Sequence, residues 1–470
     1  MQRDNLMSQT SFFTKDKAFY RSLFSMLAFV ALQNIIAYSV NMADNIMLGS
    51  YSQAALSGAA TVNQVFFIIQ QFAISFGNAL VALAAQYWGQ NRTAPIRRLV
   101  GITLKIGSAI TLVLLLICLF LPSGIIRIFT SDSGIIAEGR KYLLIILWTF
   151  LLYILTNILM AALRAVGTVN ISFYISIISL VLNVGINYVL IFGKLGFPEM
   201  GITGAAIGTL VARIVELVIV LLYLLFVDKK LKLFQKPDTA EKALTWLFSN
   251  DTDLWKDYLK VYFPIMCATV LWGVSVPMQT AILGHLSADA IAANSVATTF
   301  YQYLKVIVVA MSSTSAVMIG QSIGRGEMDR IKSDGRTLSV IDVGIGFLLG
   351  IVLILLKDPL LTLYNLNDNA MALAGRLILI MAVIMVGMSY QMPVSFGIIQ
   401  GGGDAKFTMA MNLISTWLIV MPLSFMAAFW WKWPVEWVVV VVQSDQIFKC
   451  LPTFIHFRKY TWMKKLTREE

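Results

Sequence analysis

Twelve apolar runs, each about 20 residues or longer, limit what this chain can fold into. They lie at about 22–48, 56–82, 98–121, 139–161, 172–192, 203–227, 258–283, 290–318, 334–356, 371–398, 407–430 and 435–457. A helix of about 20 mostly apolar residues crosses the hydrocarbon core of a bilayer. The runs are continuous and lack the alternation of barrel strands, so each predicts a membrane-spanning helix. The expected fold class is an all-α polytopic membrane protein. Only 13% of the 470 residues are charged, and mean hydropathy is +0.77. A water-facing surface cannot be built from so few charges, since soluble domains carry about 25%.

The net charge of +11 raises the question of nucleic acid. The positions of the basic residues answer it. Twelve spans place both termini on one side. If that side is the cytoplasm, most basic residues fall there, as the positive-inside rule requires. The loop 228–257 (Lys229, Lys230, Lys232, Lys236, Lys242) and the tail 458–470 contribute heavily. The charge therefore reports topology. No nucleic-acid partner is expected, and membrane lipid is. Cys118, Cys267 and Cys450 are far apart in apolar runs and predict buried, unreactive thiols. The polar start of the chain predicts no cleaved leader.

The loop 228–257 divides the chain into six spans plus six. The expected domains are 1–227, a cytoplasmic linker 228–257, 258–457 and a cytoplasmic tail 458–470. The halves are related. The segment 46–55 (IMLGSYSQAA) matches 281–290 (AILGHLSADA) without a gap. The same spacing pairs Gln86 with Gln321 and Gly89 with Gly324, and Gly139-Arg140 pairs with Gly375-Arg376 one position off. Three matches in order indicate duplication. An even number of spans per half gives repeats of the same orientation, related by an axis along the membrane normal.

These motifs resemble the multidrug and toxic compound extrusion (MATE) family. The carrying residues are Asp44-Asn45-Ile46-Met47-Leu48-Gly49, Ala162-Leu163-Arg164-Ala165-Val166-Gly167 and the run Asn183-Val184-Gly185-Ile186-Asn187-Tyr188-Val189-Leu190-Ile191-Phe192-Gly193, continued through Gly196-Phe197-Pro198-Glu199-Met200-Gly201 to Ala206. Ile282-Leu283-Gly284-His285-Leu286 and Gln400-Gly401-Gly402-Gly403-Asp404 also fit. The resemblance covers nearly the whole chain. It implies two pseudo-symmetric six-helix lobes in a V, and antiport in which inward sodium or proton flow drives organic cations out. The implied setting is a plasma membrane, the bacterial inner membrane, with the chain as a monomer, no cofactor and no enzymatic activity.

Asp44 is the acid to weigh first, because a carboxylate within a span is costly and usually functional. Asn183 and Asn187 share one face of span 5. By helix rise they lie roughly 9–15 Å inside its outer end. Thr209 lies about 10–12 Å inside the outer end of span 6, with Ala205 one turn away. A hard cation prefers such oxygen ligands. In the family the matching positions form a sodium site, with a backbone carbonyl at the position of Ala205. Some members carry an aspartate where this chain has Asn187, which leaves Asp44 the sole ionisable ligand. Sodium and a proton would compete there, since protonation removes the charge that sodium needs. The bland alternative for the asparagines is interhelical hydrogen bonding. The repeat counterpart of Asp44 is Gln279, so coupling is expected in the N-terminal half alone. The proline that many relatives carry midway along span 1 is absent at Phe29-Val30-Ala31, whereas Pro264 is kept in the second half.

Gln33 and Asn34 on span 1, Tyr38, Gln70 with Gln71 on span 2, Trp272 and Met278 are cavity candidates, because flat apolar cations favour aromatic and methionine surfaces. Glu216 is expected to pair with Arg213. Lys305, Asp342 and Asp445 form an expected internal charge network. Lys305 should pair with either acid, as a structural pair or a second proton-linked site. Gly401-Gly402-Gly403-Asp404 reads as a helix-ending turn rather than a phosphate loop. Gly201, Gly204 and Gly208 should let spans approach closely. Two other readings stay open. One is a flippase for lipid-linked oligosaccharide, disfavoured by the absence of Lys or Arg between Arg21 and Asp44. The other is an intramembrane enzyme, for which no convergent nucleophile and base are evident.

Overall fold

The computed structural model describes residues 12–234, 245–248, 251–286, 288–362, 364 and 367–468. Lys236 and Lys242, named above, and Ser287 of the matched segment 281–290 lie outside the described residues. All twelve apolar runs are helices, and no strand occurs among the described residues. In chain order they are α1 (Lys17–Tyr51), α2 (Gln53–Gly89), α3 (Thr93–Phe120), α4 (Ser133–Ala165), α5 (Asn170–Ile191), α6 (Ile202–Phe226), α7 (Thr252–Gly284), α8 (Ala288–Gly324), α9 (Met328–Leu361), α10 (Asp368–Ile399), α11 (Ala405–Trp430) and α12 (Val435–Lys459).

The helices outrun their apolar cores, because polar residues continue and cap them. Asp132 caps α4 by accepting the Gly134 and Ile135 N–H groups, and Asn367 caps α10 through the Ala370 N–H. The Leu254 N–H donates to Asp251 at the start of α7. That helix therefore begins before the expected position 258, within the polar loop. Two prolines, Pro264 and Pro277, lie inside α7, where neighbouring helices make them tolerable. Three π-helical stretches, Pro393–Ile399, Leu413–Val420 and Met426–Trp430, widen the turns of α10 and α11. The first starts at a proline, which cannot donate the normal helical bond.

The chain separates into two compact units. One comprises Leu32–Ala84 and Arg92–Tyr262. Here α5 and α6 pack along small residues. A Cβ on Gly204 would meet the Leu190 backbone at 2.7 Å, and one on Gly208 would collide with the Asn187 side-chain oxygen. Gly201 also allows close approach, here of the Tyr51 ring at the end of α1, which a Cβ would meet at 2.5 Å. It is a turn residue with φ +55°. The polar loop is anchored here as well. Asp228 accepts from the Lys230, Leu231 and Lys232 N–H groups, Lys230 Nζ donates to the Val166 carbonyl, and Leu231, Leu233 and Trp246 are buried.

The other unit comprises the described residues of Met1–Ala31, Ala85–Asn91 and Phe263–Glu470. In it the ends of α2 and α8 cross at the duplicated residues. A Cβ on Gly89 would collide with the Gln321 carbonyl oxygen, and a Cβ on Gly324 with that of Gln86. Both obstacles are backbone, so neither can rotate away. Gly324→Ala is expected to destabilise the protein by about 1–3 kcal/mol, the usual cost of overpacking. Thermal unfolding in detergent checks this, and an unchanged midpoint would remove the steric account.

The basic tail is packed rather than free. Lys464 N–H donates to the Gly402 carbonyl (2.9 Å), Gln86 Nε2 donates to the Lys464 carbonyl (3.1 Å), and Leu466 N–H donates to Gln86 Oε1 (2.8 Å). Trp462 is fully buried. The expected turn at Gly401-Gly402-Gly403 ends α10, with Gly403 at φ +105° against the Lys464 carbonyl. Burial pushes the Asp404 carboxyl up, but Lys464 Nζ (2.9 Å) and His456 Nε2 (3.1 Å) outweigh it and hold it below its ordinary value. A depressed carboxylate stabilises fully above its unfolded pKa of about 3.9 and loses that contribution as pH falls through the lower folded value. The tail should thus stay docked from neutral pH to about pH 4 and loosen below it. Limited proteolysis across that range checks this. Tail cleavage that rises already at neutral pH would refute it.

Cys118 is buried, whereas Cys267 and Cys450 are only partly so. All three are free, and Cys450 Sγ contacts the Gly387 and Gln446 carbonyls.

Candidate functional site: a carboxylate–amide chain across α1, α5 and α6

Asp44 is on α1, Asn183 and Asn187 are on α5, and Thr209 is on α6. One helical turn separates the asparagines, so both present amides to the same side. Asn187 Nδ2 donates to Asp44 Oδ1 (2.6 Å) and reaches Asn183 Oδ1 (3.3 Å). Asn183 Nδ2 donates to Thr209 Oγ1 (3.3 Å). The four side chains thus form one chain across three helices. Both asparagines are buried, and Asp44 and Thr209 are partly so. Ala205 lies one turn before Thr209 and is buried. Gly208 makes the arrangement possible, because the Asn187 oxygen occupies the volume a larger residue would fill.

That Asn187 Oδ1 is buried without a hydrogen-bond partner. Such an atom costs about 1–3 kcal/mol, and more when the group is charged. The amide nitrogen stands where a cation would approach Asp44. Turning the amide over presents the oxygen instead. The donors are then a carboxylate, two amide oxygens and a hydroxyl. They suit a hard, oxygen-preferring monovalent cation. No group of three or more His, Cys, Asp or Glu with metal-holding spacing occurs among the described residues.

One neighbour, Tyr142, went unread in the sequence, and a second, Arg213, was read only as the partner of Glu216. The Tyr142 hydroxyl is hydrogen-bonded to Thr209 and lies within the electrostatic reach of Asp44. Arg213 also acts on Asp44. It forms the expected pair with Glu216, at 2.7 and 3.0 Å, and sits over the Tyr153 ring at 4.9 Å. Asp44, Glu216 and Arg213 sum to one negative charge. Tyr142 gave no signal, being one aromatic among many in apolar runs. The nearness of Arg213 to the site could have been read from its place one turn beyond Thr209 on α6.

The cavity candidates divide between the units. Gln33, Asn34, Tyr38 and Gln70 belong to the unit that holds Asp44, and Tyr38 lies within reach of Tyr153. Gln71 is buried. Trp272 and Met278 belong to the other unit. The charge network needs correction. Lys305 pairs with neither acid; its Nζ lies over the Trp272 ring, 4.9 Å from the centroid. Asp445 is taken by Lys449, one turn along its own helix, at 2.7 Å. Lys449 was overlooked because it lies near the end of an apolar run. Asp342 is fully buried, with neither carboxyl oxygen hydrogen-bonded in the described structure.

The MatE family profile matches this chain twice, at residues 30–189 and 264–426, once in each half. The chain belongs to the MATE family. It is a transporter, not an enzyme. This MATE protein is 24% identical to the probable multidrug resistance protein NorM of Thermotoga maritima, over 93% of this chain and 92% of that one. It is 22% identical to the multidrug resistance protein MdtK of Pectobacterium atrosepticum, over 87% of each. Its fold matches the Vibrio cholerae MATE transporter VcmN in the bent form, with a TM-score of 0.82, 18% identity, and 94% of this chain and 97% of that one covered. This MATE transporter is therefore a multi-pass membrane protein, and its repeat is visible to the family profile as well as to the eye.

Proposed function

We propose that this transporter is a secondary antiporter that exports organic cations while sodium or protons enter through the Asp44 site, by alternating access. In this reading it works as a monomer in the plasma membrane, the inner membrane of a bacterium, with both termini in the cytoplasm. Two six-helix lobes, split at the 228–257 loop, rock around the cargo. The carrying observation is the chain from Asp44 through Asn187 and Asn183 to Thr209. An intramembrane acid held by a neutral amide is expensive to keep for structure alone. Sodium would replace the amide nitrogen at Asp44 and engage the oxygens. A proton on Asp44 would cancel its charge and exclude sodium. Either ion thus couples through one group. The names of the two relatives, both multidrug resistance proteins, support the cargo class. The test is ethidium efflux from proteoliposomes under separately imposed sodium and proton gradients. At least one gradient should drive efflux. Efflux indifferent to both overturns antiport.

A further inference from the structure

Lys305 is a cation with no carboxylate to itself. It lies midway along α8 and is partly exposed. The acid whose field reaches it, Asp445, is already engaged at both oxygens. Oδ2 accepts from Lys449 Nζ (2.7 Å), and Oδ1 accepts from Gln446 Nε2 (2.8 Å). Gln446 is fixed in turn by Gln391 Nε2 at 2.7 Å, and Lys449 also donates to Asn412 Oδ1 at 3.0 Å. Asp342 is no substitute, because no charged side chain acts on it. Two ammonium groups therefore share one carboxylate, and the cluster carries one surplus positive charge. The Trp272 ring occupies one side of Lys305 Nζ at 4.9 Å. An ammonium has three donors, so those not directed at the ring stay available to an anion.

Resting on the export reading above, we propose that Lys305 binds a carboxylate carried by the cargo, so that the favoured cargo is an aromatic cation bearing an acid group. Trp272 holds the ammonium against its face and keeps it poised within the span. The Asp445–Lys449–Gln446 array keeps the nearest internal acid from capturing it. Asp44 and Lys305 then serve different partners, one the coupling ion and the other the cargo.

The test is binding of two fluorescent xanthene dyes to the purified full-length protein, read by anisotropy. One is a rhodamine with a free benzoic acid; the other is the methyl ester of the same dye. The wild type should bind the acid tighter than the ester by about tenfold or more, as a charge-assisted hydrogen bond allows. Lys305→Gln should bring the two within about twofold, while Lys305→Arg keeps the preference. Equal binding of the dyes by the wild type, or Lys305→Gln weakening both alike, overturns the carboxylate site and leaves cation export standing. Binding of neither dye overturns both. If the dyes bind alike while chloride titration quenches tryptophan fluorescence in the wild type and not in Lys305→Gln, Lys305 serves an inorganic anion and the cargo proposal fails.

Discussion

Asp44→Asn should reduce gradient-driven efflux to the rate seen without a gradient, while the protein folds normally. The change is nearly isosteric, and Asn187 can turn its amide oxygen to face the new amide, so the hydrogen bond at 2.6 Å has a replacement. What disappears is the only charge among the ligand candidates Asp44, Asn183, Asn187, Thr209 and Ala205. Neither sodium nor a proton then has a site that distinguishes the two sides of the membrane. Ethidium binding to the detergent-purified mutant should persist, which separates lost coupling from lost folding. Full gradient-driven transport by the mutant would falsify the assignment. Thr209→Val should have a milder effect, because the hydroxyl is one neutral donor among several.

Lys449→Met should cost about 3–5 kcal/mol of stability, the usual consequence of stripping one partner from a buried ion pair. Both side chains are over nine-tenths buried and meet at 2.7 Å. Removing the ammonium strands Asp445 and also frees Asn412 Oδ1, which accepts from it at 3.0 Å. The companion Asp445→Asn in the Lys449→Met background should recover most of the loss, since a neutral amide needs no counter-ion. Unfolding midpoints of the two single mutants and the double mutant test this. Additive losses would mean that the pair contributes nothing as a pair. Recovery by Lys305 is the other informative result: if Lys449→Met is tolerated unless Lys305 is also neutralised, the free ammonium has moved across to Asp445.

The sequence resolved the spans because membrane helices advertise themselves: lipid admits no partner for a bare backbone or a stray charge. It resolved the Asp44 chain for a related reason. Asn183 and Asn187 stand out in an apolar run, and helix rise alone gives their depth. Arg213 and Glu216 were readable as neighbours on one helix. What escaped notice was contact between distant elements. Lys305 was matched to Asp342 or Asp445 because all three lie near mid-depth, yet for Asp445 a lysine one turn along the same helix competes better than one on another helix. Tyr142 carries no pattern of its own. The tail was legible only as basic charge that reports topology; its docking runs through backbone groups, which composition does not describe.

Gly89 and Gly324 each clear space for the carbonyl of the other repeat's glutamine, Gln321 and Gln86. The contact is reciprocal, as in a homodimer, where any surface meets its own copy. A six-span ancestor bearing this notch would have joined a second copy of itself with each contact made twice. One substitution in such a gene changes two places at once. Fusion ended that constraint. Once two copies lie in one chain each can change alone, and the paired positions Asp44 and Gln279 now differ in charge.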